Sequence, residues 1–247
     1  MNMVSPDQVA AEIDRDTGLP IGPLVEWRDA RRPTPVTLAG RWVTLVPLDP
    51  RAHAADLYDA TAGREHDALW RYLPYGPYPD RAAFAEDIAN KSRSTDPVFF
   101  AIMNAATRRP VGYGSLLRIE PEHGCIEIGH ILYTPDLQRT PGATEAMYLM
   151  AKHVFEDLGY RRYEWKCDAL NGPSRRAALR LGFTFEGVFR HHRIVKGRNR
   201  DTAWYAMLDA EWPAHRSAFE RWLDPANLDA HGHQRRSLSE CRQSEVA

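Results

Sequence analysis

The chain has 247 residues, 43% of them hydrophobic, and its 32 Lys and Arg against 33 Asp and Glu leave a formal net charge of −1. That balance supports a packed core and excludes wholesale disorder, sets up no global field toward nucleic acid or an anionic membrane, and leaves no run of about 18 apolar residues for a membrane-spanning helix. Three widely spaced cysteines, Cys125, Cys167 and Cys241, do not make a disulfide framework, and the first residues lack the basic start and apolar core of a secretory signal, so a reduced, cytoplasmic protein is expected.

Residues 1–38 carry Pro20, Pro23, Pro33 and Pro35 with little periodicity and read as an irregular arm. Leu24, Val25 and Trp27 suggest that part of it packs on the domain that follows, residues 39–229. A strand is predicted at 41–46, helices at 50–62 and 81–92, and three successive strands at 97–103, 111–119 and 125–133 with hairpin-like turns between them. From 143 to 158 the apolar residues Ala146, Met147, Met150, Ala151, Val154, Phe155 and Leu158 form one helical stripe, closed by Gly159. A strand at 161–167 places Tyr163, Trp165 and Cys167 on one face. A short helix at 173–181 ends at Gly182, and strands at 183–195 and 203–208 finish the domain. Hairpins mixed with helical crossovers predict an α/β domain around a mixed, mostly antiparallel twisted sheet flanked by helices. The polar tail, 230–247, reads as disordered, and its His231 and His233 lack a third ligand for a metal.

The most informative stretch is TPDLQRTPGAT, ending at Thr144. A strand runs into a short turn, and a long helix starts with Thr140 as N-cap and Pro141 at its first position. The free N–H groups and positive dipole end of such a helix suit a pyrophosphate, and Arg139 adds a fork of donors. Gly129, in the middle of the preceding strand, points to a bulge or a close backbone approach. Downstream, a strand runs into Asn171-Gly172-Pro173-Ser174 at the start of the short helix.

In this order of elements, and in the segments EIGHILYTPDLQ, ATEAMYLMAKHVFEDLGYRR, NGPSRRAALRLGFTFEG and KGRNRDTAWYAML, the chain resembles the GNAT superfamily of acyl-CoA-dependent N-acyltransferases, in particular the branch of ribosomal-protein N-terminal acetyltransferases of the RimJ/RimL type. The resemblance spans roughly 36–213. It implies acetyl-CoA as co-substrate, with the pyrophosphate on Gln138, Arg139, Thr140, Gly142, Ala143 and Thr144 and the pantetheine along Ile131 and Tyr133. Asn171 and Ser174 would lie near the pantetheine–phosphate arm, or act only as helix caps. One departure is Pro141, which stands where the family carries its first glycine and removes one N–H from the cradle.

Transfer of an acetyl group to an amine requires removal of a proton from an ammonium. The resemblance places Glu127 for this task; its alternative role is to pair with a nearby Arg. The oxyanion would be met by a backbone N–H near Ile131. The helix after Asn171 carries no Tyr to protonate the departing thiolate, itself a tolerable leaving group. Trp70, Tyr72, Tyr75 and Tyr78 crowd a loop where relatives bind the acceptor, and form either a binding wall or lid packing. The basic run RHHRIVKGRNR at 190–200 reads as a solvated hairpin or a contact with cofactor or acidic substrate in preference to a nucleic-acid site. The expected acceptor is a protein N-terminus or small-molecule amine, no metal is called for, a homodimer is compatible with the family, and the rival reading is a non-catalytic acyl-CoA-binding module.

Overall fold

The computed structural model of the protein describes residues 10–230 and 233–243. A small hairpin, β1 (Glu12–Ile13) and β2 (Pro20–Ile21), precedes an eight-stranded sheet. Its strands are β3 (Leu38–Ala39), β4 (Val43–Pro47), β5 (Val98–Asn104), β6 (Pro110–Glu120), β7 (Cys125–Tyr133), β8 (Arg162–Asp168), β9 (Thr184–Val195) and β10 (Arg198–Leu208). They lie in the order β3-β4-β5-β6-β7-β8-β10-β9, and only β7 and β8 are parallel. The mixed, mostly antiparallel sheet is the one the sequence predicts.

Two-residue alternation sends side chains to two cores. Phe99 and Ala101 of β5, Tyr113 of β6 and Leu132 of β7 meet α1 (Pro50–Asp59), a 3₁₀ turn (Arg64–Trp70) and α2 (Arg81–Ser92) through Leu57, Trp70, Phe84 and Ile88. On the opposite face, Ile126, Ile128, Tyr163, Trp165 and Tyr205 meet α3 (Pro141–Lys152) and α5 (Trp212–Leu223) through Met147, Met150, Phe219 and Trp222. The strand at 161–167 thus buries Tyr163, Trp165 and Cys167 on one face, as its pattern predicts.

Helix α3 is the crossover that makes β7 and β8 parallel. Thr140 caps it, its Oγ1 accepting the Ala143 N–H at 3.3 Å, and Pro141 occupies the first turn. The α-helix ends at Lys152, and one π-helical turn (His153–Asp157) carries the chain to Gly159, at φ +79°. Glu145, buried on this helix, accepts backbone N–H groups from Arg41, Trp42 and Val43 at 2.8, 2.7 and 2.9 Å. Gly40 must be glycine for this approach: a Cβ there would lie 2.5 Å from the Glu145 carboxyl.

Several expectations are corrected. The final helix α5 was not anticipated, and the tail is ordered over 233–243. There α6 (Leu238–Gln243) buries Leu238 and Cys241, and Arg221 Nη2 donates to the Cys241 carbonyl at 2.7 Å. Two apolar residues three apart give too little periodicity to announce a helix, yet suffice once α5 offers a surface. His233 lies beside Asp229, and His231 falls outside the described residues. In the arm, Trp27 docks, its Nε1 donating to the Pro121 carbonyl at 3.2 Å, whereas Leu24 and Val25 are exposed.

Candidate active site

Strands β7 and β8 pair only from Cys125–Ile128 against Arg162–Trp165, although β7 continues to Tyr133 and β8 to Asp168. The cause lies on the other side of β7. Its register with β6 steps from Ser115↔Gly129 to Tyr113↔Leu132, so His130 and Ile131 together oppose Gly114, and His130 takes φ +51°. This bulge, one residue past the glycine that signals it, bends β7 away from β8. The cleft opens at the carboxyl ends of two parallel strands, and a helix begins just beyond each of them: α3 at Pro141 and α4 (Gly172–Leu181) after its cap Asn171. Ligands of open α/β sheets sit at such a position.

The residues expected to hold the donor gather at this mouth. Gln138 Nε2 donates to the Tyr133 carbonyl at 3.2 Å, and the Tyr133 hydroxyl donates to the Ala143 carbonyl at 3.3 Å. Burial pushes the Tyr133 hydroxyl pKa up, so it remains a neutral donor. Gly142 is packed so closely that a Cβ would lie 2.9 Å from a Val43 methyl. Thr144 Oγ1 accepts from Arg180 Nη1 at 3.0 Å, and Arg139 is exposed at φ +61°. Asn171 Oδ1 caps α4 through the Ser174 N–H at 3.1 Å, and Ser174 Oγ accepts from Trp165 Nε1 at 3.0 Å. Both side chains are therefore engaged in capping and core contacts at the edge of the cleft.

On the α1–α2 face, Glu127 is buried, and its Oε2 takes both Arg118 Nη1 and, at 3.1 Å, Lys166 Nζ. The expected partner Arg is thus present, together with a lysine that sequence reasoning missed. Oε1 is the atom turned toward Gly129, where a Cβ would lie 3.5 Å away. The glycine therefore keeps space open beside the carboxylate oxygen that neither cation holds. Lys166 also pairs with Glu164 and lies 3.8 Å from the centroid of the Trp204 ring.

The aromatic loop divides between packing and site. Trp70 is 2% exposed, wedged edge-on against Tyr78 and Phe84, with Nε1 donating to the Thr61 carbonyl at 3.2 Å. It anchors the loop from within, its ring packed among the other aromatics. The Tyr72 hydroxyl donates to the Leu170 carbonyl at 3.2 Å, bridging the loop to the α4 turn. Tyr75 lies nearly parallel to His130, its hydroxyl 3.1 Å from Nδ1. Lys91, ion-paired with Asp87, sits 3.5 Å from the Tyr75 ring centroid. His130, Lys91 and Asp87 were not foreseen. The only advance signal was the histidine one residue past Gly129.

Burial, then the charges of Lys91 and Arg118, push the His130 pKa down to about 4; burial and Arg242 do the same for His215. Both imidazoles stay neutral in the fold at a pH where an unfolded histidine, with an ordinary value of 6.5, binds a proton. Their contribution to stability is therefore complete above about pH 6.5 and declines as pH falls toward about 4. Urea midpoints measured across that window should drop, and the drop should shrink in His130→Gln/His215→Gln. An equal drop in the double variant would assign the effect to other groups.

Residues 43–184 match the family model described as an acetyltransferase (GNAT) domain. The crystal structure of a GCN5-related N-acetyltransferase from Brucella melitensis superposes with a TM-score of 0.86 at 45% identity, covering 88% of this chain and 99% of that one. The crystal structure described as a probable acetyltransferase (GNAT family) from Chromobacterium violaceum ATCC 12472 gives 0.73 at 41% identity, over 79% of this chain and 98% of that one. Among curated proteins, the uncharacterized N-acetyltransferase YnaD of Bacillus subtilis (strain 168) is 27% identical over 145 residues, 58% of this chain and 82% of its own length.

Proposed function

Because the chain belongs to the GNAT family of acetyltransferases, we propose that it transfers the acetyl group of acetyl-CoA directly to a primary amine, with the thioester held where β7 and β8 part. The observation that carries this reading is the bulge at His130 and Ile131. It supplies a gap between parallel strands, unpaired backbone on β7 facing it, and two helix starts at its mouth. The pantetheine runs along Ile131 and Tyr133, and the pyrophosphate lies over the first turn of α3, where Thr140, Gly142, Ala143 and Thr144 bring backbone close and Gln138 and Arg139 flank it. Asn171 and Ser174 border the opposite side.

The acceptor amine approaches from the α1–α2 face, beside Tyr75 and under the loop that Trp70 and Tyr72 hold in place. Glu127 Oε1 receives the amine's proton, directly or through one water, while Arg118 and Lys166 fix the carboxylate through Oε2. A backbone N–H at the bulge meets the developing oxyanion. The thiolate leaves without a tyrosine donor on α4. No helix among the described residues is long and apolar enough to cross a membrane, and a cytoplasmic setting, where acetyl-CoA is made, accords with this chemistry.

Incubation with acetyl-CoA and a panel of small amines and N-terminal peptides, read by mass spectrometry and thiol release, should give acetylated product in step with free CoA. Binding of acetyl-CoA with no turnover on such a panel would make the protein an acyl-CoA-binding module instead. In the same cleft, Arg139→Ala should weaken acetyl-CoA binding by about 1–3 kcal/mol, the range for losing a charged hydrogen bond, with an unchanged melting temperature. Calorimetry showing wild-type affinity would move the pyrophosphate away from this turn.

A further inference from the structure

Strand β10 runs on past the end of β8. Thr202 pairs with Asp168, the last residue of β8, and the Ala169 N–H donates to the Asp201 carbonyl at 2.8 Å as the chain turns toward α4. Arg200 follows on β10 and is paired with Arg193 of β9 alone. It therefore stands at the carboxyl end of β8, beside the cleft where β7 and β8 part. Its charge lies over the acceptor face, since it acts on His130 of β7 and His192 of β9, and Asp168 and Glu127 act on it.

The cations around Glu127 are otherwise paired. Arg118 and Lys166 hold Glu127, Lys166 and Arg162 hold Glu164, and Lys91 holds Asp87. Among the described residues, Arg200 has no carboxylate within ion-pair distance, and its Nε is buried without a hydrogen-bond partner. Burial pushes the Arg200 pKa down, and the charges of Asp168 and Glu127, near but unpaired with it, offset only part of that. Asp168 is engaged elsewhere, its Oδ1 accepting the Leu170 N–H at 2.8 Å. A second donor on β10 is in the same condition: Trp204, level with Lys166, buries its Nε1 without a partner. Buried donors ordinarily have acceptors, and two such donors on one strand beside the cleft point to an acceptor atom brought by a ligand.

We propose that the acceptor is a small amine that carries its own anionic group, a carboxylate or a phosphate, which Arg200 receives while the amine stands at Glu127. This rests on the acetyltransferase reading above. An ammonium entering this face meets Arg118, Lys166 and Arg200 against the one carboxylate oxygen of Glu127 that neither cation holds. A simple amine or a polyamine is therefore repelled. An anion a few bonds from the nitrogen turns the same field into attraction and fixes which end of the molecule faces the thioester. A guanidinium suits the task, because its fork takes a carboxylate or a phosphate through two parallel N–H groups. The anion lies close to the amine, because Glu127 and Arg200 are near enough for their charges to interact.

The test is kcat/KM with acetyl-CoA for matched pairs that differ in one anionic group: amino acids against their amides, and aminoalkyl phosphates against the parent amino alcohols. After correction for the fraction of neutral amine, the anionic member of at least one set should win by roughly tenfold to hundredfold, chiefly through KM, the effect of hydrogen bonds to a charged group. The set that wins identifies the anion as carboxylate or phosphate. Arg200→Gln should bring that ratio close to one, and Arg200→Lys, which keeps the charge and loses the fork, should restore part of it. A merely structural role for Arg200 would slow both members alike and leave the ratio intact. Equal rates within every pair for the unaltered protein, a ratio that survives Arg200→Gln, or neutral peptides acetylated faster than every anionic amine would overturn the proposal. If no amine and no peptide is acetylated at all, the acetyltransferase reading itself fails.

Discussion

Glu127→Gln should lower kcat by about 10²–10⁴-fold, the contribution of a positioned general base, and leave the affinity for acetyl-CoA at its wild-type value. The substitution keeps the shape of the side chain and removes the carboxylate charge whose Oε1 faces Gly129. Part of the lost rate should return as pH rises toward about 9, where more of the amine is already neutral. The same carboxylate compensates Arg118 and the buried Lys166, so the variant should also be less stable, because breaking a buried pair leaves an uncompensated charge. The two effects are separable: the melting temperature reads the pairing and kcat at a temperature where the variant is folded reads the chemistry. A variant that melts early yet turns over normally from about pH 6 to about pH 9 would reduce Glu127 to a partner of its two cations. Proton removal would then pass to ordered water or to His130.

Glu145→Ala should cost about 3–5 kcal/mol of unfolding free energy, measured by chemical denaturation. Three backbone N–H groups lose a charged acceptor together, and each unpaired buried donor costs about 1–3 kcal/mol, reduced here because water reaches part of the turn. Against a typical total of about 5–15 kcal/mol, such a loss is a large share. Glu145→Gln should fall between the two, since one amide oxygen can still accept while its NH₂ faces donors. A loss below about 1 kcal/mol in the Ala variant would mean that water replaces the carboxylate without penalty.

Much of the frame is legible from residue pattern alone, because it is written locally. The strand Cys125–Tyr133 and the helix Arg81–Ser92 have the bounds that alternation and capping residues predict, and Gly129 signals the bulge to within one residue. Elements that depend on a distant surface are not legible. Helix α5 carries Trp212, Ala218, Phe219 and Trp222 at helical spacing, but its stripe acquires meaning only against α3. The six residues of α6 hold two apolar side chains, and β3 is two residues long.

The site divides in the same way. The turn before α3 is readable as a helix start, with Thr140 as cap and Pro141 in the first turn, whereas Glu127 is singled out only through the family resemblance. The partners of Glu127 depend on pairing across β6, β7 and β8, so Arg118 and Lys166 could not be named without the register. Trp70 illustrates the converse. An aromatic in a loop reads equally as wall or as packing, and its burial at the end of a 3₁₀ turn becomes visible only in the fold.

The sheet has a further consequence for motion. Its eight strands form two antiparallel plates, β3 to β7 and β8 to β10, each stitched by hairpins or long ladders. Within the sheet four residue pairs join the plates, supplemented by the crossover helix, the Glu127–Lys166 ion pair and the Tyr72–Leu170 hydrogen bond. Local opening follows the regions with the fewest cooperative bonds, so the seam between β7 and β8 acts as a hinge line, and amides on either side of it should exchange hydrogen faster than those at the plate centres. Lys196 on the second plate grips Trp70 on the first, a clasp placed at the far end of the hinge. Any swing about that line has to break this hydrogen bond.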